Sequence, residues 1–309
     1  MQATWRLAGR TLDLDRPIGA GIVNVTVDSM YAGARSGTAE QAVADGIGLA
    51  AAGFEMLDVG AVAARSGPPV AAADEIERLI PTVAGLVERA GVPVSADTYE
   101  PEVAGAAVAA GAAAINDIGG GADPMLEAIA AAGCGYVLMH IEGPPRVDRP
   151  APAYADVVDR LKSFFSERIE RAIALGVAED AIVIDPGLDF DLTVADDVEI
   201  LRRLEELHEL GRPLYVSLSR KDFIGALLAG SWDGRLPAEE RGSGTIAAAA
   251  LAAAKGAQIH RLHDLEALDA VRMAARINPT ECSGLRPSAS VGRRAGTGRE
   301  DMDFGPERR

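Results

Sequence analysis

The chain has 309 residues, with 30 Lys plus Arg against 46 Asp plus Glu, a net charge of −16. That balance argues against a nucleic-acid binder and against docking on an anionic membrane, both of which need a basic face. No basic-then-apolar leader follows Met1 and no apolar run is long enough to span a bilayer, so a cytoplasmic protein is expected. Hydrophobic residues make up 48% of the chain and aromatics only 4%, which describes an aliphatic core with closely packed helices. Cys134 and Cys282 make no disulfide framework and are expected to stay reduced.

In chain order, "WRLAGRTLDL" reads as a small hairpin. Eight short β-branched runs follow, at 19–25, 54–60, 92–97, 112–117, 135–140, 181–186, 212–219 and 258–263. Helical patterns separate them, at 39–52, 73–90, 101–110, 123–132, 154–175, 195–210, 222–229 with 240–254, and 264–277. Repeated strand–helix units imply a parallel sheet, and eight of them fit an α/β fold of the (β/α)8 TIM-barrel type, with the hairpin over its bottom. A doubly wound sheet is the competitor, but "NVTVDSMYAG" lacks the Gly-rich fingerprint expected after its first strand. Residues 1–278 are therefore expected to form one barrel domain. The Gly/Ser/Arg/Pro-rich stretch 279–309 reads as a disordered tail.

Six of the eight runs end in Asn24, Asp58, Asp97, Asn116, His140 and Asp185; the seventh runs into Ser219, Arg220 and Lys221, and the eighth ends in Arg261 and His263. Any one of these can be a cap. Together, at strand ends that a barrel gathers on one face, they describe a site. Asp97, Asn116 and Asp185 suit a flat heterocycle with several N–H donors. Arg65, Arg261 and His263 suit an anion such as phosphate, while Arg261 with Asp264 as a plain salt bridge is the duller reading. Asn24 offers Mg2+ one hard oxygen, and Lys221 stands between the two groups. The small-residue loops after the first two strands, 26–37 and 61–74, read as lids.

With these residues in hand, the chain resembles the dihydropteroate synthase family from about residue 18 to residue 277. The motifs are "GIVNVTVDS", "LDVG", "VSADTYEPEVAGAAVAAGAAAINDIGGG", "VLMH", "VIDPGLDF", "SLSRKDFIG" and "RLHD", in this order. The resemblance implies a homodimeric transferase of folate biosynthesis. It would join a dihydropterin methyl pyrophosphate to p-aminobenzoate and release Mg2+-bound pyrophosphate. Asp97, Asn116, Asp185 and Lys221 would hold the pterin. Asn24, Arg261 and His263 would hold pyrophosphate and metal, and Arg65 would close over them. Phe190 and Ser219 would line the aminobenzoate pocket, with Lys221, Arg65 and Asp97 as the catalytic set.

Departures from the family pattern cluster. Val27 and Met30 stand where Pro and Phe are usual, and Ala63, Ala64 and Ser66 where Ser, Thr and Pro are usual. Asp189 and Asp191 replace Gly, Leu192 replaces Lys, and Ser217 replaces Gly. Asp189 stands either beside an anionic benzoate, where it would repel it, or out in solvent. These changes leave open a paralogue with a different nucleophile and a non-catalytic pterin-binding protein. A methyltetrahydrofolate–corrinoid methyltransferase also uses a pterin-binding barrel, but "SRK" and "RLHD" count against it, since methyl transfer has no pyrophosphate to hold.

Overall fold

In a computed structural model, residues 3–25, 38–63, 67, 69–147 and 149–278 are described. The tail 279–309, with Cys282, lies outside them. The chain opens with an antiparallel hairpin, β1 (Thr4–Leu7) and β2 (Arg10–Asp13), turning at Gly9 with φ +72°. Eight parallel strands follow: β3 (Ile18–Asn24), β4 (Met56–Gly60), β5 (Val94–Asp97), β6 (Ala114–Asp117), β7 (Gly135–Met139), β8 (Ile182–Asp185), β9 (Tyr215–Ser217) and β10 (Ile259–Leu262). Their order is β8-β7-β6-β5-β4-β3-β10-β9. The gap between the outer two is closed by a parallel bridge between Ile184 and Leu214 and by the Ile184 N–H donating to Pro213 O at 3.0 Å. The sheet is therefore a (β/α)8 barrel, as the strand–helix alternation implies.

The helices are α1 (Ala39–Ala52), α2 (Ala72–Arg89), α3 (Pro101–Ala109), α4 (Asp123–Ala132), α5 (Val157–Ala174), α6 (Val194–Arg202), α7 (Asp222–Ala229), α8 (Gly242–Ala254) and α9 (Leu265–Ile277). Their ends follow local chemistry. Thr38 and Asp156 cap the first N–H groups of α1 and α5, and Thr193 with Asp196 forms a reciprocal capping box on α6. The single helical pattern at 195–210 is in fact two pieces. Arg203 leaves the helical region at φ −117°, bonds to Glu206 and Asp156, and the chain tightens into 3-10 turns over Leu204–Leu210. Among the described residues, no helix is long and apolar enough to cross a membrane.

Two aliphatic layers result. The larger lies between strands and helices. The smaller fills the barrel itself: Ile18, Ala20, Met56, Ala114, Val137, Val183, Tyr215 and Ile259 pack with Trp5, Leu7 and Leu14 of the N-terminal segment. Trp5 is fully buried and its Nε1 donates to Ala181 O at 2.7 Å, so the hairpin plugs the bottom of the barrel. Alternate residues of a strand share a face. Two residues beyond Met56, Ala114, Val183, Tyr215 and Ile259 come Asp58, Asn116, Asp185, Ser217 and Arg261. The inner wall changes from apolar to polar within one side-chain layer, and the polar layer opens at the C-terminal ends of the strands.

Candidate active site

The centre of that mouth is Asp58, whose carboxylate is completely buried. Its Oδ1 accepts from Ser95 Oγ at 2.5 Å; its Oδ2 accepts from Asn116 Nδ2 at 3.0 Å and from Arg261 Nε. Arg261 Nη2 also donates to Asp97 Oδ2 at 2.8 Å. One guanidinium thus joins two strand-end carboxylates, each presented from a neighbouring parallel strand. Burial pushes the Asp97 carboxyl up; Arg261 pulls it back down, and Asp58 adds to the upward push. The salt bridge between Arg261 and Asp264 does not form. Asp264 pairs instead with Arg220, at 2.8 Å.

The opposite wall is built by β8 and β9. Asp185 Oδ1 accepts from Gly187 N at 2.9 Å, and Oδ2 accepts from Ser217 Oγ at 3.0 Å. Ser217, a departure from the family pattern, thus holds one of the carboxylates that line the mouth. Burial raises the Asp185 pKa, with the Gly187 N–H and Lys221 working against it. Lys221 follows Arg220, a non-glycine residue held at φ +56°. That conformation is enforced from several sides. Arg220 forks onto Asp264 and donates to Ala238 O at 2.9 Å; its carbonyl accepts from Arg241 Nη1 at 2.9 Å. The result projects Lys221 to the mouth, with Nζ 4.6 Å from the Phe190 ring centroid.

Ser219 and His263 form a third group, Oγ to Nδ1 at 2.7 Å. Burial, followed by Arg261, Arg220 and Lys221, lowers the His263 pKa to about 3. The imidazole is therefore neutral near pH 7, and the mouth has one cation fewer than its sequence suggests. Asn24 ends β3. Its Oδ1 and Asp97 Oδ2 each lie 3.6 Å from where a Cβ on Gly60 would project, so the absent side chain keeps open the space between them. Arg65 lies outside the described residues, with Ala64, Ser66 and the first lid segment, 26–37, which carries Val27 and Met30.

The acidic replacements find partners within the chain. Asp189 does not stand in solvent: it is 1% exposed, and its carboxylate is taken up by the Asp222 N–H at 2.8 Å and the Phe223 N–H at 3.2 Å. It caps α7, where a negative charge meets the helix's positive end. It does so at φ +74°, a region that Asp tolerates better than most residues. Asp191 pairs with Arg149 at 2.9 Å, and Leu192 is buried in the barrel–helix layer. Sequence reasoning named Asp58 as a strand end but left it out of the binding set, and it missed Arg146 and Arg149. The signal for Asp58 was present: it is the acidic residue in "FEMLDVG" that shares the inward parity of Met56. Arg146 carried none, because its link to Ala63 O spans two loops.

The arrangement offers buried carboxylates and an amide for a planar N–H-bearing ring, flanked by Lys221 and Arg261. Comparison with known proteins gives the same answer. The family described as pterin binding enzyme matches residues 20–263. Dihydropteroate synthase of Escherichia coli K12 is 37% identical over 268 residues, covering 86% of this chain and 93% of that one. The structure of Xanthomonas albilineans dihydropteroate synthase in complex with 7,8-dihydropteroate superposes with a TM-score of 0.76 at 40% identity, covering 90% and 99% of the two chains. Inactive dihydropteroate synthase 2 of Mycobacterium leprae is also 37% identical, over 282 residues, covering 89% and 95%. The chain belongs to the pterin-binding enzyme family, within its dihydropteroate synthase branch of transferases.

Proposed function

We propose that the protein condenses a dihydropterin methyl pyrophosphate with p-aminobenzoate. The carbon–oxygen bond to pyrophosphate breaks, a carbon–nitrogen bond to the arylamine forms, and the amine loses a proton. The observation that carries this reading is Asn116 Oδ1. It is buried and has no partner among the described residues, on a strand where Asn116 stands in register with Asp97. An unpaired buried acceptor costs stability until a ligand donor meets it. Asp97, Asn116, Asp185 and Lys221 hold the pterin, and Lys221 spreads positive charge over the ring edge. Arg261 and the neutral His263 meet the leaving pyrophosphate, with Arg65 closing over it. Phe190 and Ser219 bound the aminobenzoate pocket. Catalysis is chiefly positioning and stabilisation of the departing anion.

Three carboxylates, Asp58, Asp97 and Asp185, face Arg261 and Lys221, so pyrophosphate is favoured when it carries its own cation. Among the described residues no group of three or more His, Cys, Asp or Glu is arranged to hold a metal. One amide oxygen at Asn24 near Asp97 fits Mg2+, which keeps waters and takes phosphate oxygens. Bound there, Mg2+ would neutralise charge on the leaving group. The protein acts in the cytoplasm as a homodimer; Leu251 on α8 and Met273 and Ile277 on α9, exposed at 44%, 62% and 77%, offer the apolar face that a dimer would bury.

The test is incubation with the pterin pyrophosphate, Mg2+ and p-aminobenzoate, followed by mass spectrometry for dihydropteroate. Product is expected. Pyrophosphate release only with another amine would establish a paralogue with a changed nucleophile; tight pterin binding without release would establish a non-catalytic binder. The M. leprae relative, named inactive at an identity equal to that of the E. coli enzyme, is the observation that keeps this last reading in play.

A further inference from the structure

The Asp58 carboxylate is completely buried and receives three donors, from Ser95, Asn116 and Arg261. A carboxylate ion-paired with Arg261 can only accept, so the Asn116 amide must turn its NH2 group toward Asp58. The other end of the amide, Oδ1, is then the one left for a ligand, and it is the atom without a partner among the described residues. Ser95 fixes the second carboxylate oxygen, at 2.5 Å, and this prevents the carboxylate from rotating to release the amide. Asn116 itself is 3% exposed and sits in register between Asp97 and Val137, so it cannot swing out to solvent.

We propose that Asp58 is a positioning and specificity-determining residue that sets the polarity of Asn116, so that the site demands an N–H on the heterocycle edge and rejects a ring acceptor there. This rests on the reading that Asn116 meets the pterin. In the Asp58→Asn variant the new amide can donate to Asn116 Oδ1. The Asn116 amide then flips and presents NH2 to the ligand. In the Asn116→Asp variant two carboxylates face each other. In the double variant, which carries both Asp58→Asn and Asn116→Asp, the pair is exchanged. The amide now at position 58 donates to one oxygen of the carboxylate now at position 116, and the other oxygen again faces the ligand as an acceptor.

The experiment is calorimetric titration with 6-hydroxymethyl-7,8-dihydropterin of the parent, Asp58→Asn, Asn116→Asp and the double variant, with a melting curve for each. Each single variant is expected to bind about 10-fold or more weakly, the scale on which a site rejects a mismatched hydrogen-bond partner. The double variant is expected to return to within about 3-fold of the parent, a coupling that a merely structural role would not produce. Undiminished binding by Asp58→Asn overturns the proposal, as does a double variant no better than the weaker single one. Should Asp58→Asn fail to fold, Asn116→Asp against the double variant decides, and a double variant that binds no better overturns the proposal. A parent that binds no pterin overturns the functional reading itself, and this assignment with it.

Discussion

The two ends of the barrel are built from the same strands and solve opposite problems. At the bottom, Met56, Ala114, Val183, Tyr215 and Ile259 close on Trp5, whose polar connection is its indole N–H to Ala181 O. At the top, two residues further along each strand, charge is buried as a network: Asp58, Asp97 and Arg261 hold one another, and Asp185 is held by Ser217 and Gly187. The first end gains from removing apolar surface from water. The second end is stable only while every member has its partner. A substitution at the bottom should therefore act on stability alone. One at the top should act on the ligand, and on stability as well where it breaks a buried ion pair.

The sharpest test of that division is at the ligand itself. Lys221→Ala and Asp185→Asn should each reduce turnover by about 100-fold or more while the melting temperature changes little, measured by steady-state kinetics beside thermal unfolding. Unchanged kinetics in both would remove them from the site. Arg261→Ala should lower stability by about 3–5 kcal/mol in urea titration, since it leaves two carboxylates without their cation. It should also weaken the pterin pyrophosphate far more than the pterin alcohol. Trp5→Ala should lower stability by a comparable ~3–5 kcal/mol through the cavity it leaves, with KM unaltered at a temperature where the variant is folded. A changed KM there would join the two ends. Asp189→Ala should cost a smaller ~1–2 kcal/mol, as the loss of a helix cap does.

The last expected effect is one of pH. The Asp97 pKa is raised in the folded state, so its contribution is full below the ordinary value of 3.8 and is lost as pH rises toward about 7. Asp97→Asn removes that loss. The difference in melting temperature should move in the variant's favour between about pH 4 and pH 8, and a difference constant across that range would refute the raised pKa.

Most of the fold was legible because barrel strands alternate and helices carry their own caps. The hairpin, the eight strands and the position of the polar ends all follow from periods of two and about 3.6. What was not legible were the pairings. Arg261 and Asp58 are 203 residues apart, and Asp264 stands three residues from Arg261, so the one pairing that local reading could offer, as the duller alternative to an anion site, was with another carboxylate. Asp189 meets N–H groups 33 and 34 residues further on, and neither benzoate nor solvent could be weighed against a helix that packs beside it only once the barrel closes. His263 reads as a cation in sequence, but burial and its neighbours Arg261, Arg220 and Lys221 make protonation unfavourable.

The cap at Asp189 has a consequence for the cost of binding. The carboxylate ties the segment carrying Phe190 to the start of α7, immediately after Lys221, and the ring and the ammonium already lie 4.6 Å apart. The conformational freedom that a glycine-rich segment would surrender when a substrate arrives has here been surrendered during folding. Ligand affinity is correspondingly less eroded by ordering. The same tether makes this wall less able to reshape itself around a molecule of another outline, so rigidity at residue 189 narrows the range of second substrates by shape where its charge does not.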